Sequence, residues 1–194
     1  MNTHSVGKME LPYKIILASN SPRRRELLGG LGIDFTVKVI DGIDESWPHD
    51  LKGEDIPLYI SKEKAAPYKA AIANDELEIT ADTIVYVDGE VLGKPHDKAD
   101  AVRMLKLISG RWHEVITGVT LMTKERERSF AVTTKVKFSN LSDDEIRRYV
   151  DSGLPMDKAG AYGIQEWIGY VGVEAIEGSY FNVVGLPVQR VHSA

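Results

Sequence analysis

An apolar run at residues 13–18 breaks off into Ser19-Asn20-Ser21-Pro22 and then three consecutive arginines, Arg23, Arg24 and Arg25. This handover constrains the fold more than any other feature of the chain. The run has the length of a short strand. A serine followed by proline is a helix start, because the hydroxyl caps a free amide and the ring presets the first helical φ. Strand leading into helix, repeated along a chain, specifies an α/β protein.

The repetition is legible. Leu27, Leu28 and Leu31 give the first helix an apolar stripe, and Gly29, Gly30 and Gly32 offer places to stop it. Residues 35–40 read as a second strand, 41–50 as an acidic loop, and 56 to about 73 as a helix with Pro67 as a kink or break. Residues 79–87 are strand-like. Asp88-Gly89 is a two-residue hairpin turn, and 90–92 the return strand. Ala101, Val102, Leu105 and Ile108 recur at helical spacing within 97–109, with Gly110 as the stop. Two long strands follow, 112–123 and 129–138, joined by the charged turn 124–128. Ser142 and Glu145 spell a capping box that opens a helix to about Asp151, ended at Gly153. The remainder is glycine-rich, with strand-like pieces at 170–175 and 180–184.

Composition narrows the chemistry. The 194 residues fit one domain, or two lobes sharing a core. There are no cysteines, which excludes disulfides, thiolate metal sites and a cysteine nucleophile and accords with a reducing cytosol. Residues 1–11 read as a short polar lead-in without a signal-peptide core, and no apolar run has the length of a membrane span. The net charge of −5 disfavours a non-specific nucleic-acid binder. Phosphate binding would require a local cluster of cations in an acidic body.

Five segments carry candidate chemistry. At 19–25 a helix N-terminus, two serine hydroxyls and early arginines suit a phosphate; a solvated basic turn is the bland alternative. Asp82, between Ala81 and Thr83 in a strand, is costly to bury unless paired or holding a metal, so it is either a site residue or a structural ion pair. Lys94, in Gly93-Lys94-Pro95 at the hairpin exit, reaches a phosphate or is simply solvated. Asp44-Glu45 in the acidic loop offers oxygen ligands to a hard cation, and Lys62 and Lys64 follow on the next helix; alone, these carry little weight. In residues 157–165, small residues and glycines allow close backbone approach, and the Gln165 amide matches N3–H and O4 of uracil or thymine; the alternative is a tight structural loop with Tyr162 in the core and Gln165 merely exposed. His4, His49, His96, His113 and His192 are scattered without ligand spacing, no Walker-type loop is present, and Trp47, Trp112 and Trp167 read as packing residues.

In this order, the pieces LASNSPRR (17–24), ADTIV (81–85), GEVLGKP (89–95), ITGV (116–119), DKAGAYGIQ (157–165) and GSYFNVVGLP (178–187) resemble the Maf family of nucleotide pyrophosphatases. The resemblance implies a mixed twisted sheet with helices, two lobes around a central cleft, similar to inosine triphosphatases, in a single domain over 12–194. It implies hydrolysis between the α and β phosphates with Mg²⁺ or Mn²⁺. Asp82 matches the family's proton acceptor, and Arg23, Thr83 and Gln165 match positions tied to substrate choice, in the pattern of the dTTP/UTP branch. Ser19, Arg24, Glu45, Lys64 and Lys94 match its other polar cleft residues. On this basis Arg23, Arg24, Lys64 and Lys94 are expected to neutralise the triphosphate, and Glu45 and Asp82 to hold the metal. The expected partner is a nucleoside triphosphate, with neither nucleic acid nor membrane, in the cytoplasm, and a homodimer stands beside a monomer as an open alternative. A non-catalytic regulator of septum formation and a purine or modified-purine pyrophosphatase remain as rivals. Two departures stand out: Glu166 occupies a position where the family commonly has glycine, and Pro67 interrupts the helix expected to carry Lys64.

Overall fold

The computed structural model describes residues 7–194, so His4 and the first part of the N-terminal lead-in lie outside the described residues. Strands are β1 (Lys14–Leu17), β2 (Phe35–Val37), β3 (Glu76–Val87), β4 (Glu90–Leu92), β5 (Trp112–Met122), β6 (Glu127–Phe138) and β7 (Val173–Glu177). Helices are α1 (Pro22–Gly29), α2 (Asp55–Ala65), α3 (Lys98–Ile108), α4 (Asp143–Asp151), α5 (Trp167–Gly172), α6 (Tyr180–Val184) and α7 (Val188–Ser193). The strands form one mixed sheet in the order β2-β1-β3-β5-β6-β7, with β4 paired to β3. β1 runs parallel to both β2 and β3, whereas β4 and β7 pair antiparallel. This is the α/β class that the alternation of elements predicts. Among the described residues, no helix is long and apolar enough to cross a membrane.

The chain divides into two compact units. One runs to Asp82 and takes in Thr117–Val132 and Gly185–Ala194; the other is Thr83–Ile116 and Thr133–Val184.

In the first unit, Ser21 caps α1 by accepting from the Arg24 amide at 3.3 Å, with Pro22 at the first helical position, as the sequence foretells. Leu28 of α1 packs on Leu17, Ile79 and Val119 in one apolar cluster. On the other sheet face, α2 is pinned closely. A Cβ on Gly118 would lie 2.2 Å from the Pro57 carbonyl oxygen, so only glycine lets the helix approach β5 there. The Thr80 hydroxyl donates to the Ser61 carbonyl at 2.7 Å, and the Ser61 and Thr120 hydroxyls share a buried hydrogen bond of 2.8 Å. The helix expected to reach residue 73 ends at Ala65. A 3₁₀ turn, Ala66–Tyr68, holds Pro67, whose ring and missing N–H end the α-helical ladder, so Lys64 rides in the last turn of an unbroken helix.

In the second unit, α3 and α4 pack on β3, β5 and β6 around Leu105, Ile108, Phe138, Ile146 and Tyr149. The Asp88-Gly89 hairpin forms as read, with φ values of 49° and 76° and Val87 opposite Glu90. The capping box of Ser142 and Glu145 closes in both directions. Three readings need correction. Residues 180–184 are a helical turn, not a strand: the Ser179 hydroxyl accepts from the Asn182 amide, and a fully buried Asn182 side chain donates to the Val115 carbonyl and the Thr134 hydroxyl. Local capping thus overrides the β preference of Tyr, Phe and Val. Tyr170 belongs to α5, and β7 begins only at Val173. Trp112 is 44% exposed rather than a packing residue, whereas Trp167 does pack against the core.

Candidate functional site

Each unit gathers its own set of the polar residues singled out above.

In the first unit the centre is Lys64. Its ammonium lies 3.2 Å from Asp82 Oδ1, 3.0 Å from Glu45 Oε1 and 3.2 Å from the Ala81 carbonyl, to which it donates. Three elements converge here: the last turn of α2, the middle of β3, and the acidic loop. That loop is shaped locally, because the Asp44 carboxylate accepts from both the amide and the hydroxyl of Ser46, an Asx turn with Glu45 at its apex. Its approach is fixed by Tyr68, whose hydroxyl accepts from the Ile40 amide at 2.7 Å and donates to the Lys38 carbonyl.

Asp82 is buried, and its second oxygen, Oδ2, has no hydrogen-bond partner among the described residues. Burial raises its pKa above the ordinary aspartate value; the Lys64 and Arg24 charges pull it back without cancelling the effect. Arg24 is shifted the other way. Burial lowers the pKa of its guanidinium and neighbouring Arg23 adds to this, while Asp82 and Glu45 oppose it. Arg24 thus feels Asp82, Glu45 and Arg23, and Asp82 feels Lys64, Arg24 and Glu45. Arg24 Nε donates to the Gly185 carbonyl at 2.8 Å, a contact between segments 161 residues apart that no local pattern in the sequence announces. The Ser19 hydroxyl accepts from the Ser21 amide at 3.1 Å, so it shapes the turn ahead of α1.

Lys64, expected from the sequence to help neutralise a triphosphate, is ion-paired on this wall with Glu45 and Asp82. It is the counter-ion of the two carboxylates expected to hold a metal. Among the described residues, no group of three or more His, Cys, Asp or Glu side chains is placed to hold an ion. Two carboxylates with an unsatisfied oxygen nevertheless fit Mg²⁺, which commonly takes one or two protein carboxylates and completes its shell with phosphate oxygens and water.

The second unit holds Thr83, Lys94 and Gln165. Thr83 is half-buried and directly follows Asp82 in β3. Lys94 is exposed on the loop after β4, and that loop is tied to residues 157–165 because the Gly160 amide donates to the Gly93 carbonyl at 3.1 Å. Gly160 itself has a φ of 70° and packs so closely that a Cβ would meet Val85 Cγ2 at 2.6 Å. Ala161, Tyr162, Gly163 and Ile164 are buried, and Gln165, which follows them, is exposed. Tyr162, in the core, shares a 2.6 Å hydrogen bond with His113.

Sequence reasoning missed the network under this loop. Lys158 is only 8% exposed, and its ammonium donates to the Leu154 carbonyl at 2.8 Å and lies 2.8 Å from Asp157 and 3.4 Å from Glu166. The available signal was a lysine and a glutamate bracketing a run of small and apolar residues.

A family model described as Maf-like protein matches residues 14–194. A dTTP/UTP pyrophosphatase of Phocaeicola vulgatus is 61% identical over 181 residues, covering 93% of this chain and 94% of that protein. A dTTP/UTP pyrophosphatase of Bacteroides fragilis is 58% identical over 180 residues, covering 93% of each chain. Among solved structures, a HAM1 protein from Coxiella burnetii is similar with a TM-score of 0.49 and 14% identity, over 93% of this chain and 97% of that one.

Proposed function

The chain belongs to the Maf family, and we propose that it is a nucleoside triphosphate pyrophosphatase that hydrolyses dTTP and UTP to the monophosphate and pyrophosphate. The observation that carries this reading is the cluster around Asp82: a buried carboxylate with one oxygen bound to Lys64 and the other unpaired, in the field of Arg24 and Glu45.

The chemistry follows from those groups. Water attacks the α-phosphorus, the bond to the oxygen bridging α and β phosphates breaks, and pyrophosphate leaves. Asp82 Oδ2 accepts a hydrogen bond from the attacking water and takes its proton. A carboxylate made more basic by burial does this better than a solvated one. Arg24 and Arg23, beside the N-terminus of α1, offset the negative charge of the phosphates, with the helix amides adding donors. Lys64, already paired with Asp82, holds that carboxylate in place. Lys94, exposed on the loop after β4, is the remaining cation we assign to the phosphates. A divalent cation, Mg²⁺ or Mn²⁺, held by Glu45 and Asp82 would offset charge on the phosphate oxygens and lower the pKa of water.

Base choice is assigned first to Gln165. Gln165 is the outward member of a buried loop, and its amide offers an acceptor and a donor pair to match N3–H and O4 of a pyrimidine. Arg23 and Thr83 complete the residues we assign to substrate choice.

Incubation with a panel of nucleoside triphosphates and Mg²⁺, with products identified by chromatography, tests the reading. Monophosphate plus pyrophosphate from dTTP and UTP ahead of purine nucleotides is expected. Orthophosphate release, or no turnover of any nucleotide, would sink it.

A further inference from the structure

The backbone around Gln165 is tied by an arrangement that the proposed chemistry does not use. Tyr149, near the end of α4, places its hydroxyl under the loop. The Gly163 amide donates to the Tyr149 oxygen at 3.0 Å, and the Tyr149 hydroxyl donates to Glu166 Oε1 at 2.6 Å. The Glu166 amide in turn donates to the Gly163 carbonyl at 3.0 Å. Residues 163 and 166 are therefore closed on each other twice, once through the backbone and once through a phenol, with Ile164 and Gln165 as the span between. The Lys158 ammonium lies 3.4 Å from the same Glu166 oxygen, and the Glu166 and Lys158 side chains are nearly buried, at 14% and 10% exposed. The fit leaves no slack: a Cβ on Gly163 would lie 2.5 Å from Glu166 Oε1 and 2.9 Å from Lys158 Cε.

A side chain on a loose turn samples several directions and loses part of its pairing energy to ordering, whereas one on a fixed turn does not. The only exposed member of this fixed turn is Gln165. We propose that Tyr149 and Glu166 are positioning residues that aim Gln165, and so set the pyrimidine selectivity of the enzyme without touching substrate. Glu166 is the acceptor that anchors the phenol. The proposal rests on Gln165 reading the base.

Tyr149→Phe removes one oxygen and both hydrogen bonds while keeping the ring in its core site. Turnover of dTTP, dGTP and methyl triphosphate, a substrate with no base, is compared across variants. In Tyr149→Phe the dTTP/dGTP ratio of kcat/KM should fall at least fivefold, while kcat/KM for methyl triphosphate stays within twofold of the parent. Glu166→Gln, which keeps an acceptor for the phenol, should retain most of the ratio, and Glu166→Ala should lose it. If either of the two disruptive variants fails to fold, the other carries the same test. An unchanged ratio in Tyr149→Phe or Glu166→Ala, with Gln165→Ala lowering it, overturns the positioning role while leaving base reading intact. An equal fall on methyl triphosphate also overturns it, because the effect is then merely structural. If Gln165→Ala itself leaves the ratio unchanged, base reading by Gln165 fails and the positioning role falls with it.

Discussion

Glu78 sits in β3 four residues before Asp82, on the sheet face that α2 covers, yet it is 2% exposed and its Oε1 has no hydrogen-bond partner among the described residues. Burial, with a smaller push from Glu76, raises its pKa from 4.5 to about 8. The carboxyl is therefore neutral in the folded protein at pH 7 and ionised in the unfolded chain. The sign follows from linkage. An acid whose folded pKa is raised contributes its full share of stability below pH 4.5 and loses it as pH climbs toward 8. At about 1.4 kcal/mol per pH unit, the loss amounts to about 3 kcal/mol by pH 7 and about 5 kcal/mol at its limit. Replacement by glutamine removes the titration and little else in volume. Urea unfolding followed by tryptophan fluorescence, run on both proteins from pH 5 to pH 8, isolates the effect as a difference. The advantage of Glu78→Gln should grow by roughly 1 kcal/mol with each pH unit and flatten above pH 8. Parallel stability curves, offset by a constant, would mean that Glu78 is solvated or paired and would refute the argument.

Asp82→Asn should keep the fold and bind dTTP while losing turnover by several orders of magnitude, read by isothermal titration beside a pyrophosphate-release assay; near-parental rates would remove Asp82 from the chemistry. Gln165→Ala should cut the preference for dTTP over dGTP by roughly ten- to a hundredfold, since one amide pairing discriminates by about 1–3 kcal/mol. Gly118→Ala should lower stability by roughly 2 kcal/mol or more, because the new Cβ lands 2.2 Å from a backbone oxygen that cannot rotate away; a melting temperature within a degree of the parent would contradict the contact. Removing divalent ions with EDTA should abolish turnover, and Mg²⁺ should restore it; full activity in EDTA would contradict the role given to Glu45 and Asp82.

What the sequence made visible was whatever short-range chemistry decides. Ser21-Pro22 capped a helix, Asp88-Gly89 turned a hairpin, and Ser142 with Glu145 closed a capping box, because each needs only neighbours within three residues. The arginines at the start of α1 and the aspartate inside β3 were conspicuous because each opposes the local propensity. Residues acting through distance were not legible. Lys64 reads as an ordinary helix-surface lysine until the Gly118 contact draws α2 onto the sheet and brings it to a residue 18 positions away. Glu78 looks like an ordinary solvent-facing strand residue, because period-two patterning cannot tell a covered face from an open one. Tyr149 reads as one more apolar residue of the α4 stripe, since the partners of its hydroxyl lie 14 and 17 residues downstream.

Asp82 and Thr83 are neighbours on one strand, and neighbours on a strand point to opposite sides. A slip of β3 by a single residue would trade the carboxylate for the hydroxyl and leave both on the wrong wall. The ladders on either side of β3 forbid it, among them the parallel one with β1, where Leu17 faces Ile79, and the antiparallel one with β4, where Val85 faces Leu92. The surface bend at Asp88-Gly89 fixes the second of these, so lengthening it by one residue is an edit to the candidate site made from five residues away.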